Sequence, residues 1–185
     1  MDFRDTAENR YESLNEIKEH YLDRGRECSE LTIPTLIPEQ HQTQSSDFYS
    51  PFQSVGSRGV NNLASKLLLL LLPPNQPFFR LAIQGKAKEQ IDQQPELKTS
   101  VEKALSKIER EVMGKIESLA LRVPTFELIK HLIVGGNVLA HIPKKGNMRV
   151  YGLNQYVCKR DGEGHLLEIV VKERVSVVSV DEEVR

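Results

Sequence analysis

The stretch from Ser65 to Pro74, SKLLLLLLPP, places six consecutive leucines in an otherwise polar chain. A membrane-spanning helix requires roughly 20 apolar residues, whereas this run is bounded by Lys66 on one side and by prolines on the other. The run is internal and follows a charged N-terminus, MDFRDTAENR, so it does not match a secretory signal. Leucines around the whole circumference of a short helix are typical of a helix that protein covers on several sides. The stretch therefore predicts a buried helix over residues 54–72, ended by Pro73, with room for a neighbouring subunit to help cover it.

Composition limits the classes of function that remain open. The chain has 185 residues, of which 39% are hydrophobic and 28% charged, and a formal net charge of -1. One domain, or one domain with extensions, is expected, and no global positive field would recruit nucleic acid or an anionic membrane. Residues 1–30 hold nine acidic and five basic side chains, whereas residues 141–174 hold four acidic and seven basic ones. This difference predicts solvated surface first, with complementarity between subunits as the sharper alternative.

The residue types that form metal and redox sites are scattered. Cys28 and Cys158 match no metal or redox spacing, so we expect two unpaired thiols that behave as small apolar residues in a reducing compartment, with a long-range disulfide as the alternative. The sequence also lacks a nucleophile elbow, a phosphate-binding loop and a dinucleotide fingerprint. None of the histidines lies at metal-ligand spacing from a second ligand on one element; they stand at positions 20, 41, 131, 141 and 165.

The absence of these motifs decides which roles the sequence supports. We expect no enzyme activity, no catalytic residue, no cofactor and no metal site, and the sequence leaves any nucleic-acid-binding residue unknown. His131 and His141 flank a Gly-Gly bend, and satisfied or exposed imidazoles are the simpler explanation for them.

The first two thirds of the chain have helical periodicity. Apolar residues at helical spacing predict an amphipathic helix over residues 6–29 and a long one from Leu97 to Leu119, whose apolar residues step by four, four and three. The stretch VPTFELIKHLIVGGN predicts a further helix that ends at Gly135-Gly136. At least one residue of that pair is expected at positive φ, since a helix ends there and a strand begins at once.

Beyond Asn137 the hydrophobic period becomes two, which indicates strands. Asp161-Gly162 is a hairpin signal between the last two of them. Helices first and an antiparallel β meander second define an α+β fold, with a helical part at 1–137 and the meander at 138–185. Together with a short strand before the long helix, the predicted strands are 78–83, 138–142, 148–153, 156–160 and 165–171.

One motif suggests a different function. Gly56-Ser57-Arg58-Gly59 has the GxxG form of the loop with which KH domains clamp single-stranded nucleic acid. A KH domain needs that loop between two helices, yet SSDFYSPF, which precedes it, is a poor helix former. The alternative is that the two glycines allow close packing at the start of the leucine helix. A KH-like nucleic-acid-binding module is kept as the second hypothesis.

Residues 51–81, PFQSVGSRGVNNLASKLLLLLLPPNQPFFRL, closely resemble the portal proteins, or head-to-tail connectors, of short-tailed bacteriophages. In that family Val-Gly-x-Arg-Gly and Asn-Asn-Leu-Ala-Ser-Lys-Leu lead into an apolar run, a proline-rich turn, an aromatic residue and Arg-Leu. Three further segments resemble the family in the same order: RYESLNEIKEHYLDRGRECSELTIPTLIP, IESLALRVPTFELIKHLIVGGNVLAHIP and YGLNQYVCKRDGEGHLLEIVVKE.

The resemblance implies a structural subunit rather than an enzyme. Portal proteins form a homo-oligomeric ring, usually of twelve subunits, at one capsid vertex, and the ring is the channel for genome packaging and ejection. The implied partners are capsid and scaffold proteins, the packaging ATPase (terminase), tail adaptor proteins and the double-stranded DNA that passes through the channel. The implied location is the virion, with assembly in the host cytoplasm and no membrane association.

The resemblance covers only the N-terminal part of the family's proteins, which are much longer. Residues 1–185 are therefore expected to form the wing-like region of a portal subunit, as part of a longer chain, with a truncated relative of the family as the alternative. The helices that line the tunnel and the clip that meets the motor correspond to positions beyond Arg185, so no residue of this chain is assigned to those roles.

Overall fold

A computed structural model of the chain describes residues 6–39, 47–48, 50–74, 76–85, 88, 90–91, 93–144 and 146–175. The helices are α1 (Ala7–Leu31), α2 (Val55–Leu71), α3 (Pro95–Ser118) and α4 (Arg122–Gly135). The strands are β1 (Leu139–His141), β2 (Arg149–Tyr151), β3 (Tyr156–Arg160) and β4 (Leu166–Val171). The predicted α+β class, with helices first and antiparallel strands second, is confirmed.

The ends of the helices follow local chemistry. Thr6 precedes α1, and its hydroxyl accepts a hydrogen bond from the backbone N–H of Asn9 at 3.4 Å, as N-cap residues do. Pro95 begins α3, where a residue without an N–H is well tolerated. Gly136 ends α4 at a φ of 73°, which confirms the predicted positive φ at the Gly-Gly bend.

The strands pair antiparallel, but they do not form one meander. β1 pairs with β2 and β3 pairs with β4, in two separate two-stranded sheets. The continuous meander is therefore wrong within the described residues. Between β2 and β3 the chain turns sharply: Gln155 donates its backbone N–H to the carbonyl of Gly152 at 2.9 Å, and the Gln155 side chain accepts from the Gly152 N–H at the same distance.

The strand predicted at 78–83 is also wrong, since the structure contains no strand there. The N–H of Leu81 donates to the Glu109 carboxylate of α3 at 2.7 Å rather than to a neighbouring strand. Extended chain beside a helix satisfies its backbone groups through side chains, so β-prone residues alone do not make a strand.

The hairpin between β3 and β4 confirms the predicted turn. The Asp161 carboxylate accepts hydrogen bonds from the backbone N–H of Glu163 at 3.1 Å and of His165 at 2.7 Å, and Gly164 has a φ of 89°. An aspartate that accepts from N–H groups two and four residues further on stabilises a turn of this length. The connection is longer than the two-residue turn that Asp-Gly suggests.

The core lies where α1, α2 and α4 meet the segment after α1 and the turn before β3. Ser29 is buried, and its hydroxyl donates to the carbonyl of Ile33 at 2.7 Å and accepts from the N–H of Ile37 at 3.2 Å. These bonds fold the proline-containing segment back onto α1 and bury Ile37. The buried apolar residues of this core are Leu22, Ile37, Val60, Val134 and Leu153.

Polar contacts attach α1 to the strands. Arg10 donates to both oxygens of Glu168 on β4, at 2.8 and 2.6 Å, and Tyr11 donates its hydroxyl to the carbonyl of Asn154 at 3.2 Å. The Lys18 ammonium donates to the carbonyls of Leu153 and Tyr156. Burial lowers the pKa of Lys18 to about 8 because the charged form loses solvation. Helix α1 is thus held on the β hairpin along half of its length.

Candidate interaction surfaces

Only one face of the leucine helix α2 is covered. Val60 and Ala64 are buried, and α2 packs against α4. Towards its C-terminal end, Leu69, Leu70 and Leu71 are 56%, 78% and 55% exposed. The expectation that the leucines are largely buried is therefore wrong for this chain by itself. The described residues cover only this face, so the other faces of the apolar helix lie in water.

The long helix α3 exposes its apolar stripe as well. The stripe is present as predicted, but none of the helix's residues is buried, and Leu97, Ile108 and Val112 are 44%, 47% and 39% exposed. Among the described residues α3 forms no extensive contact with another helix or strand. An amphipathic helix gains most of its stability from packing of its apolar face, so the stripe of α3 is a candidate contact surface.

The ends of these two helices lie close to each other. Arg122, at the start of α4, donates to the carbonyl of Pro73 just beyond α2 at 3.2 Å, and it lies 4.0 Å from the carboxylate of Glu117 near the end of α3. The exposed leucines and the last turns of α3 therefore approach the same point of the molecule. We call the exposed parts of α2 and α3, residues 69–71 and the stripe from Leu97 to Leu119, the apolar surface.

The two glycines of the GxxG motif do not form a loop. Gly56 and Gly59 both lie inside α2, so the KH alternative lacks the loop between helices on which its nucleic-acid clamp depends. A Cβ atom at Gly56 would lie 2.3 Å from the carbonyl oxygen of Leu31, whereas at Gly59 it would meet nothing within 4 Å. Close packing of α2 on the end of α1 explains the first glycine, and no contact in the structure explains the second.

The hairpin turn brings together three potential metal ligands that the sequence analysis missed. One donor atom each from Asp161, Glu163 and His165 lies within 4.8 Å of the others, and all three residues stand on the turn between β3 and β4. Their spacing of two residues around a predicted turn was the available signal. The Asp161 carboxylate already accepts two backbone hydrogen bonds and lies 3.2 Å from the His165 ring. The turn's own hydrogen bonding accounts for the cluster.

The other histidines and cysteines do not form a site in the described part of the chain. His131 is buried, burial lowers its pKa, and its Nδ1 has no hydrogen-bond partner among the described residues. His141 is exposed, and His41 lies outside the described residues. Cys28 and Cys158 are unpaired, as expected, but both are exposed rather than packed as small apolar residues.

Membrane crossing is not supported by the helices of the described residues. None of them combines the length and the hydropathy that a span requires. The leucine run is too short, as its proline boundary predicted.

Comparison with known proteins shows the family. A sequence model of the bacteriophage head to tail connecting proteins matches residues 4–185, and the chain belongs to this family. It is similar to the portal protein of Escherichia phage T7, with 38% identity over 98% of this chain and 34% of that relative. The portal protein of Enterobacteria phage T3 gives the same values, and that of Enterobacteria phage SP6 is 30% identical over 92% of this chain and 33% of its own length. The chain thus spans about a third of the length of these relatives.

Proposed function

We propose that this chain is the N-terminal, wing-like region of a portal subunit. In this proposal the complete protein forms a ring, usually of twelve subunits, at one capsid vertex. The ring is the channel for packaging and ejection of double-stranded DNA, binds capsid and scaffold proteins, and carries the packaging ATPase and the tail adaptor proteins. The virion is its final location and the host cytoplasm its place of assembly. Membership of the connector family, together with the names of the relatives, supports this role.

The apolar surface is the observation from the structure that favours assembly. Leu69, Leu70 and Ile108 are each about half exposed or more, and burying one such side chain contributes about 1.5–3 kcal/mol. A patch of this kind marks an interaction surface in a soluble protein. When unlike patches of identical subunits pair head to tail and the rotation closes, the product is a ring. We assign the apolar surface to contacts between neighbouring subunits.

Electron microscopy of the protein expressed from the complete reading frame tests the proposal. We expect closed rings from the unchanged protein and smaller species from Leu70→Glu or Ile108→Glu, because a carboxylate in an apolar interface loses its solvation. Ile17→Glu is the matched control, since Ile17 is 74% exposed on α1, away from the apolar surface. Absence of rings from the unchanged protein would contradict the proposed function.

A second measurement distinguishes an effect of these variants on ring assembly from an effect on the stability of the subunit. If the variants still form rings, the assignment of the apolar surface is wrong although the function stands. If Leu70→Glu lowers the thermal unfolding temperature of the isolated subunit, the leucines are covered within the subunit by the remainder of the longer chain. Mass photometry with circular dichroism distinguishes these outcomes.

We also expect the 185-residue chain to bind nucleic acid weakly or not at all by itself. Its net charge is -1, and affinity for a phosphate backbone depends on cations that release counterions. Titration of labelled single-stranded RNA, single-stranded DNA and duplex DNA at moderate salt measures this. Saturable binding that Gly59→Asp abolishes would favour the KH alternative.

A further inference from the structure

A cavity of about 700 Å³ lies between α1, the segment that ends at Glu39, β2 and the residues after β4. Its volume falls within the range of about 300–1,000 Å³ that is typical of ligand sites. Apolar and aromatic side chains form part of the wall, among them Tyr11, Leu22 and Val150. None of the residues that line the cavity belongs to the apolar surface.

The charged lining of the cavity is mainly positive. Four cations face two carboxylates, in a chain whose overall charge is -1. A concave wall of one dominant sign concentrates the electrostatic potential and attracts ligands of the opposite sign. The cations are Arg26, Arg149, Lys172 and Arg174, and the carboxylates are Glu39 and Glu173.

Two of the cations have hydrogen-bonding capacity that the described residues do not use. Arg26 pairs through Nη1 with Asp23 at 3.0 Å, but its Nε is buried and has no hydrogen-bond partner in the described part of the chain. The Lys172 ammonium lies 5.5 Å from the centre of the Tyr11 ring and forms no ion pair with any described residue. Arg149, in contrast, lies 3.6 Å from the Glu173 carboxylate.

We infer that this cavity binds a short acidic peptide of a partner protein, one that carries one or two carboxylates beside an aliphatic side chain. The guanidinium of Arg26 and the ammonium of Lys172 would bind the carboxylates through charge-assisted hydrogen bonds, and Val150 would contact the aliphatic group. A phosphate chain has no apolar group to place against Val150, so the mixed charged and apolar lining favours the peptide. The inference does not depend on ring formation.

Selection from a random dodecapeptide library on the immobilised 185-residue chain tests the inference. We expect enrichment of peptides with Asp or Glu next to Leu, Ile or Val. Fluorescence anisotropy of the most enriched peptide should show binding weakened about tenfold or more by the double change Arg26→Gln with Lys172→Gln. The double change Lys144→Gln with Lys159→Gln removes the same charge from exposed positions outside the cavity and should leave the affinity within about twofold.

A further variant and a second ligand complete the test of the inference. Lys172→Glu, at an exposed position, should weaken binding even if the double variant proves too unstable to measure. Enrichment of peptides without acids, failure to enrich any peptide, or equal binding by Lys172→Glu and the unchanged chain would overturn the inference. So would tripolyphosphate, if it bound the cavity more tightly than the selected peptide does, since that result would identify a phosphate site.

Discussion

Two regions of this molecule differ in how far their apolar side chains are buried. In the packed region, which comprises α1, residues 33–37, α4 and the strands, Leu22 and Ile37 are each 3% exposed. In the open region, which comprises the C-terminal half of α2 and all of α3, Leu70 is 78% exposed and no residue of α3 is buried. Both regions have amphipathic or apolar helices, so composition does not explain the difference.

The two regions differ in how many other elements of the chain pack against their helices. Helix α1 has the segment after it, α4 and two strands on its apolar side, and Arg10, Lys18 and Ser29 fix these neighbours through hydrogen bonds. The open region has α4 on one side of α2 and little else. Apolar area contributes to stability only where a second surface covers it, whether that surface belongs to the same chain or to another. Within the described residues the packed region supplies both of its apolar surfaces, whereas the open region supplies only one of the two.

The largest expected effect is a loss of stability from a substitution in the core of the packed region. Leu22→Ala should lower the free energy of unfolding by about 2–5 kcal/mol, because it removes buried methyl groups and leaves a cavity. Leu70→Ala removes the same atoms from an exposed position and should change it by no more than about 0.5 kcal/mol in this chain. Urea denaturation followed by circular dichroism measures both variants. Equal losses would mean that the open region is as well packed as the core.

A smaller effect on stability is expected from alanine substitutions at the two glycines of α2, and its sign should differ between them. Gly56→Ala should destabilise the chain by about 1–3 kcal/mol, since the new methyl group would overlap the Leu31 carbonyl at the junction of α1 and α2. Gly59→Ala should stabilise it by about 0.5–1 kcal/mol, because the site is open and alanine favours a helix. Thermal unfolding of the two variants under one condition is the measurement. A loss of stability in Gly59→Ala would show that this glycine has a structural role after all.

Elements with strong periodic patterns could be predicted from the sequence. The observed bounds of α2, α3 and β3 lie within about two residues of the predicted ones, because proline boundaries and sustained stripes are local signals. The left-handed Gly136 was also predictable, since a helix that ends directly before a strand requires such a residue.

Burial and strand pairing could not be predicted in the same way, because both depend on distant parts of the chain. Leu70 is exposed because no other element of the described residues covers it, and the leucine run itself contains no signal of that. The chain forms two separate two-stranded sheets, and alternation of apolar residues does not reveal which strands pair. The cavity likewise collects Arg26, Arg149 and Lys172 from three separate elements.

The smallest expected effect concerns acidification of the packed region. His131 is buried on α4 beside Gly152, and burial lowers its pKa, with Glu127 and Lys130 acting in opposite directions. Because its folded pKa lies below the unfolded value of about 6.5, the unfolded chain binds more protons as the pH falls through this range. The contribution of His131 to stability is therefore complete above pH of about 6.5 and is lost as the pH falls towards the folded pKa.

Urea denaturation at a series of pH values between about 7.5 and 5 gives the free energy of unfolding at each pH. The slope of that free energy against pH measures the contribution of His131. We expect a shallower slope in His131→Gln than in the unchanged chain, and an unchanged slope in His141→Gln, which alters an exposed histidine. Arg10 lowers the pKa of Glu168 through their hydrogen bonds, so that carboxylate stays ionised over the whole range and does not add to the slope. If the His131→Gln slope equals that of the unchanged chain, the imidazole is solvated and the packing of α4 against the β2–β3 turn is looser than the structure shows.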